Sequence, residues 1–510
     1  MKNRKIKALA LLMALAMVAA AFAACNKGAE EDAKKDTLIV GIESDPRSLD
    51  PAISIDVHSA SVTGNIYETL LTLDANKNII PKLAEYKQID DITYEFYVKK
   101  GVKFHNGEEL KAVDVVFTFQ RGIETPQLQY IFDQIDPSTI TEKDEYTVWL
   151  QLYQPSASFL SNLTSTSAVV VNKKAVTEYG EDYPDHPTGT GPMKFVSWEK
   201  NVECIVERFE DYYGPKPEMK KIIFRPIVEL TSRTIELESG AVDMALGIPA
   251  TDLKRVEDHA DLRIESTIGY SMRYVGFNCS VAPFDNELVR QALSHAVDAE
   301  GIAQALRGEA EKVTAAPYSH AMMYYDDSIG HITYDPALAR QLLAEAGYPD
   351  GFKTTIVADE RKERTDIATI VQQQLAEIGV TAEIKVMEWG TFLDATYAGN
   401  TEIYVMGWSA ATPDPDYVVY NVFHSSMQGE GGNMSFVNDP RVDDLIERGR
   451  TSSDFNERAA IYSELQALLK DLCPWIYLYA ENLYTGVSEK IDHVELQPSG
   501  VHPYYAITFK

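Results

Sequence analysis

An apolar run that stops at a cysteine sets what the rest of this chain can become. Lys2, Arg4, Lys5 and Lys7 make a basic start, residues 8–24 are apolar, and Cys25 follows Ala23 and Ala24. A basic end, an apolar middle and small residues before a cleavage point mark residues 1–24 as a secretory signal peptide, removed on export and outside the fold. The Cys25 thiol, placed directly after that site, is a candidate for lipidation by a diacylglyceryl group; ordinary cleavage beside an incidental cysteine is the alternative, and Phe22 stands where the lipidation pattern usually has leucine. After Cys25, residues 26–36 read NKGAEEDAKKD, too small and charged to bury apolar area, so 25–36 is expected to form a lipidated flexible tether. Taking residues 1–24 from 510 leaves a body of 486. That is too long for one hydrophobic core, and at least two lobes are expected.

Composition narrows the class. The formal net charge is −30, and the signal segment carries four positive charges, so the exported body stands near −34. Such a body repels nucleic acid and anionic lipid headgroups, so no nucleic-acid partner is expected. No later apolar run approaches the roughly 20 residues of a membrane helix, so attachment to the bacterial cell membrane would rest on Cys25. The remaining cysteines, Cys204, Cys279 and Cys473, are odd in number and lack CxxC spacing, which leaves at most one disulfide and argues against a zinc or redox site. Cys204 alternates with Val202 and Val206 and reads as a small core residue.

Periodicity then gives the elements. The folded sequence starts with TLIVG at Thr37; Thr93–Phe104 alternates apolar and polar like a half-buried strand; GTGP at Gly189–Pro192 is a tight turn into a strand pair. Glu229–Ser239 reads as a helix. In the second half Asp335 and Pro336 form a helix start, with Leu338, Leu342, Leu343 and Ala346 at helical spacing and Gly347 as the stop. Ile367–Ile378 repeats that pattern, VTAEIKVMEW follows as a strand, and Phe455–Leu469 is a long amphipathic helix. Helices alternating with β-rich runs predict α/β lobes.

Catalytic signatures are missing: there is no P-loop, HExxH or EF-hand loop. Gly189–Thr190–Gly191 lacks the third glycine of a dinucleotide fingerprint, and Ser409 in GWSAA has Ala411 where a nucleophile elbow needs glycine. No histidines pair at i, i+4 on an evident helix, so neither metal nor cofactor is expected. What remains is aromatic and Asp/Pro-rich. Trp389 and Trp408 each follow a predicted strand and precede a loop, where rigid rings suit a ligand wall. In TPDPDY, Pro413 and Pro415 stiffen a loop carrying Asp414 and Asp416, which either face an amine-bearing ligand or only make turns.

With these segments in view, the chain resembles the extracytoplasmic solute-binding proteins (family 5) of ABC importers, the peptide-, glutathione- and nickel-binding type. The marks are FHNGEELKAVDVVFTF (Phe104–Phe119), GTGPMKFVSWE (Gly189–Glu199), ERFEDYYGPKPEMKKIIFRPI (Glu207–Ile227), YVGFNCSVAPFDNELVRQALSHAVD (Tyr274–Asp298), YDPALARQLLAEAGYPDGF (Tyr334–Phe352) and GWSAATPDPD (Gly407–Asp416). The resemblance implies a two-lobe periplasmic-binding-protein-like clamp of class II. The first lobe would comprise 37–268 plus 481–510, with an inserted subdomain at about 76–187; the second would run from 272 to 480. It implies Trp389 and Trp408 as pocket-lining residues, with Tyr484, or its neighbours Tyr477 and Tyr479, as a further aromatic. Where related peptide binders place an aspartate for the ligand's α-ammonium, this chain has Ala411, so Asp414 or Asp416 would have to supply the charge, or the ligand has no free amine there.

The leading expectation is a non-enzymatic lipoprotein, monomeric and extracytoplasmic, that captures a peptide or peptide-like solute and delivers it to ABC permease subunits. A nickel- or metallophore-binding relative is the alternative, suggested by His424; a secreted hydrolase is the third, without an evident nucleophile and base.

Overall fold

A computed structural model describes residues 36–53, 56–74, 77–308, 312–410, 412–429 and 432–510. The signal peptide, Cys25, the tether up to residue 35, Asn76 and Ala411 lie outside the described residues.

Among the described residues, one eleven-stranded sheet joins both halves of the molecule. Its two central strands are unusually long: Leu262–Phe277 and Trp475–Ser488 run antiparallel through both lobes. On one side follow Ile403–Ser409, Lys353–Asp359 and Thr381–Met387. On the other follow Met244–Leu246, Thr37–Ile42, Lys221–Pro226, Glu203–Arg208 and Met193–Glu199. The register of the central pair shifts between Ile268↔Asn482 and Met272↔Ala480. A bulge increases local twist and interrupts the ladder, so the two ends of the sheet face different surroundings.

The apolar clusters separate accordingly. Val275, Phe277, Leu293, Ile356, Val371 and Leu478 belong to one core, and Leu38, Val40, Phe224, Met244 and Val487 to another. The strands Lys353–Asp359 and Thr381–Met387 are parallel and joined by the helix Lys362–Glu377, so the inner strand is covered on both faces and buries Ile356, Val357 and Ala358 in succession. A third core, around Phe96, Phe119, Leu150 and Phe159, sits on a separate four-stranded antiparallel sheet built from Ala84–Gln88, Thr93–Val98, Thr147–Gln151 and Thr141–Asp144.

Local signals act as their chemistry dictates. The helix Pro336–Glu345 starts where the Asp335 carboxylate accepts the N–H groups of Ala337 and Leu338, and it stops before Gly347 at φ +92°. Glu229 caps Leu230–Glu238 in the same way. The long helix Phe455–Leu472 runs three residues past its expected end and closes on Cys473 in the left-handed region. Other expectations shift. The strand read over Thr93–Phe104 ends at Val98, because Lys99–Gly101 turns. Trp389 does not precede a loop: it opens the helix Trp389–Tyr397, capped by Glu388. Asp416 likewise opens the helix Asp416–Phe423. Cys204 and Val206 are fully buried, whereas Val202 lies in the preceding turn and is exposed.

The GTGP turn is structural, as read. A Cβ on Gly189 would stand 2.1 Å from the Ile66 carbonyl oxygen, and one on Gly191 would stand 2.6 Å from that of Asn65. Only glycine lets this turn press onto the end of the helix Val57–Ile66, where Gly191 N–H donates to the Ile66 carbonyl at 2.8 Å.

Candidate functional site

That close approach leads to the site. Between its two glycines Thr190 is fully buried, and its hydroxyl reaches Glu68, just beyond the helix end, at 3.0 Å. Glu68 lines a cavity of about 390 Å³ whose walls come from both halves of the molecule. One wall is formed by segments around Gly64–Leu73, Lys82, Thr164–Thr166 and Glu495–Ala506; Tyr270 and Pro413 close it from the other side.

Glu68 is the centre of the polar wall. Its Oε1 accepts from the Tyr212 hydroxyl at 2.9 Å and the Tyr213 hydroxyl at 3.1 Å, while Thr190 donates to Oε2. Burial and this carboxylate together raise both tyrosines above their ordinary pKa, so they remain neutral donors. Lys82 Nζ lies 3.1 Å from the same Oε1. Burial opposes the ammonium, but Glu68 and the Tyr505 hydroxyl outweigh it and the Lys82 pKa is raised. His502 is buried beside them; its Nδ1 accepts the Gln497 N–H at 3.0 Å, and burial pushes its pKa down to about 4.

The residues expected from sequence occupy several places. Trp408 lies within the strand Ile403–Ser409 opposite Met272, its ring 6.1 Å from that of Tyr417 in the helix behind the Pro413 loop. Its indole Nε1 is buried without a hydrogen-bond partner. An unanswered buried donor costs on the order of 1–3 kcal/mol. Trp389 is partly exposed, stacked on Phe392 and covered by the guanidinium groups of Arg361 at 4.4 Å and Arg364 at 5.1 Å. Arg364 is paired with Asp359 at 2.9 Å, and burial together with Arg361 lowers its pKa to about 10. Tyr484 is buried among Leu237, Ile248 and Leu262, and its hydroxyl accepts from Asn482 at 3.3 Å. Trp389, Trp408 and Tyr484 are absent from the wall of the cavity. Tyr479 donates to Glu363 at 2.8 Å, and the Tyr477 hydroxyl is buried without a partner.

Asp414 and Asp416 already have protein partners. Asp414 is 1% exposed and takes both terminal nitrogens of Arg458, at 2.7 and 2.9 Å. Asp416 accepts from the Ser158 hydroxyl at 2.8 Å and lies 3.3 Å from Arg450; burial raises its pKa against the pull of that cation. Ser158 and Ala157, whose N–H donates to the Arg450 carbonyl at 2.7 Å, follow the four-stranded sheet of the other half. The proline-stiffened loop therefore positions a cation pair and a contact across the cleft. It does not present two unengaged carboxylates.

The alternatives find their residues otherwise occupied. His424 Nδ1 lies 2.7 Å from the Ser426 hydroxyl and its Nε2 is 3.3 Å from Glu447. Among the described residues no three His, Cys, Asp or Glu side chains are arranged to hold a metal. The Ser409 hydroxyl has the Ser271 hydroxyl beside it at 2.5 Å, not a histidine.

Sequence reasoning passed over Glu68, Lys82, His502 and Tyr505. Only Thr190 and the Tyr212–Tyr213 pair lay in segments quoted for the resemblance, without a role. Positions 68 and 82 meet across the short hairpin Leu71–Leu73/Ile79–Pro81, but no spacing rule connects them to positions 190, 212 and 505.

Comparison with known proteins agrees with this architecture. The family model of bacterial extracellular solute-binding proteins, family 5, middle region, matches residues 78–430. A glutathione-binding protein GsiB of Pectobacterium atrosepticum is 30% identical over 497 residues, covering 94% of this chain and 96% of that protein. The oligopeptide-binding protein AppA of Bacillus subtilis is 29% identical, covering 98% and 97%. Among solved structures, the ABC transporter-associated periplasmic binding protein DppA from Helicobacter pylori, in complex with the peptide STSA, superposes with a TM-score of 0.79 at 27% identity over 93% of this chain and 98% of that one. With its two lobes on one bulged sheet and a first-lobe cavity that Pro413 closes from the second, this chain belongs to the bacterial extracellular solute-binding proteins of family 5.

Proposed function

We propose that this protein captures a peptide or peptide-like solute between its lobes and delivers it to the permease of an ABC importer. The observation that carries the reading is the 390 Å³ cavity, walled by the first lobe and closed over by Tyr270 of the hinge and Pro413 of the second lobe, so a bound solute favours the closed clamp over the open one. Its volume falls within the range of about 300–1,000 Å³ usual for small-ligand sites. The hydroxyl-rich wall suits a ligand rich in carbonyl and carboxylate groups. The glutathione- and oligopeptide-binding relatives support that chemistry.

The lobes are taken as 37–268 plus 481–510 and 272–480, with an inserted subdomain at about 76–187; the register shift beside Gly269–Ser271 supports a hinge there. Export, cleavage before Cys25 and lipidation of its thiol would hold a monomer at the outer face of the cell membrane. No bond of the solute is broken. In this reading a solute that extends beyond the cavity meets Trp408, whereas Asp414 and Asp416 hold the loop beside it.

Protein purified from its native host, denatured and analysed by mass spectrometry, should release a peptide or glutathione-like molecule that rebinds in calorimetry. A recovered metal complex would favour the metallophore alternative, and measurable peptide or ester turnover would favour a hydrolase; either would overturn the proposal.

A further inference from the structure

Lys82 is the basic side chain in the wall of the cavity, and its surroundings differ from those of an ordinary ion pair. Its partner Glu68 is 7% exposed and already accepts three hydroxyl donors, from Tyr212, Tyr213 and Thr190. Two of those bonds and the lysine contact fall on the same oxygen, Oε1. The carboxylate is therefore stabilised with or without the lysine. An ammonium carries three N–H donors. One is directed to Glu68, and the Lys82 side chain remains 30% accessible, on the side where the cavity lies. The cationic head is thus held in place by a buried carboxylate, and its other donors are left for a group that enters the cavity.

The neighbouring wall points to the sign of that group. Glu495 lines the same cavity, and its carboxylate is contacted by the Gln497 side-chain amide at 2.7 Å. His502 is neutral, with Nδ1 occupied by a backbone N–H. Lys82 is then the cation toward which an acidic group would turn, away from Glu495.

We infer that Lys82, oriented by Glu68, is a specificity-determining residue that receives a carboxylate of the bound solute. This rests on the peptide-capture reading above and adds the class of ligand group that is read at this wall. A carboxylate at Lys82 exchanges hydration for a charge-assisted hydrogen bond in a partly enclosed site, where loss of one partner weakens binding strongly.

The test uses the full mature protein and a mixture of tetrapeptides built from uncharged residues. The mixture is offered with free C-termini, with C-terminal amides, and beside glutathione; retained species are quantified by mass spectrometry. The wild-type protein should retain free acids at least about tenfold over amides, and Lys82→Met should bring that ratio near one. Lys82→Arg should keep most of the preference, and the melting temperature of both variants should confirm that they fold. An unchanged ratio in Lys82→Met, or equal retention of acids and amides by the wild type, overturns the assignment while leaving peptide capture intact. A wild-type protein that retains none of the three probes overturns the peptide-capture reading, and this inference with it.

Discussion

Replacing Asp414 by asparagine discriminates between a carboxylate that meets ligand and one that holds the second lobe together. Arg458 is 3% exposed, and among the described residues Asp414 supplies its one carboxylate hydrogen-bond partner, through two charge-assisted bonds at 2.7 and 2.9 Å. Its other hydrogen-bond partners are neutral: the Gly449 carbonyl at 2.9 Å, and the Tyr324 and Tyr462 hydroxyls at 3.1 and 3.2 Å. Asparagine removes the negative charge and turns an amide donor toward another donor. Breaking a buried pair from one side costs on the order of 3–5 kcal/mol, because the remaining charge stays buried. Asp414→Asn should therefore lower the urea midpoint of the transition that reports on the second lobe. The buried Trp475, which shares a core cluster with Tyr462, provides a fluorescence signal for it. The paired change Asp414→Leu with Arg458→Met should recover most of the loss, since neither charge then needs a partner. A variant with the wild-type midpoint, and an affinity loss confined to ligands with a free amine, would refute this reasoning and return Asp414 to the ligand.

Three further outcomes are expected. Trp408→Ala should weaken ligand binding by about 2–4 kcal/mol in calorimetry if the ring is a binding hot spot, with little change in the far-ultraviolet spectrum; wild-type affinity would remove Trp408 from the site. His502, with a folded pKa of about 4 against an ordinary 6.5, stays neutral while the unfolded chain takes up a proton, so stability should fall as pH drops through that interval, by up to about 3 kcal/mol from this group. His502→Gln should show a smaller fall between pH 6.5 and 4, and an identical pH dependence of the melting temperature would contradict the burial account. Cys25→Ser should release a folded protein from the membrane fraction, seen by immunoblot of fractionated cells; unchanged retention would exclude the lipid anchor.

Much of the fold is legible in the chain because its signals are local. Asp335–Pro336 starts a helix where it stands in sequence, since a cap and a fixed φ act within one turn. The alternation of strands and amphipathic helices is enough for α/β lobes, and several long segments in the right order are enough for the family. The site is not local. Whether Asp414 meets a ligand or Arg458 depends on a helix 44 residues further on, and no periodicity encodes that meeting. The sequence could state that Ala411 leaves a charge unsupplied; only packing decided that the two nearby aspartates were already engaged. Glu68 and Lys82 are brought together by the hairpin Leu71–Leu73/Ile79–Pro81, where the Lys82 N–H returns to the Leu70 carbonyl, and the GTGP turn and the Tyr212–Tyr213 segment then converge on the same carboxylate. Composition and periodicity thus determined a two-lobed α/β body, because hydrophobic burial and backbone preference are read residue by residue. Tertiary structure alone decided which charges face the cavity, because the pairing of a buried charge depends on what the rest of the fold brings within about 3 Å of it.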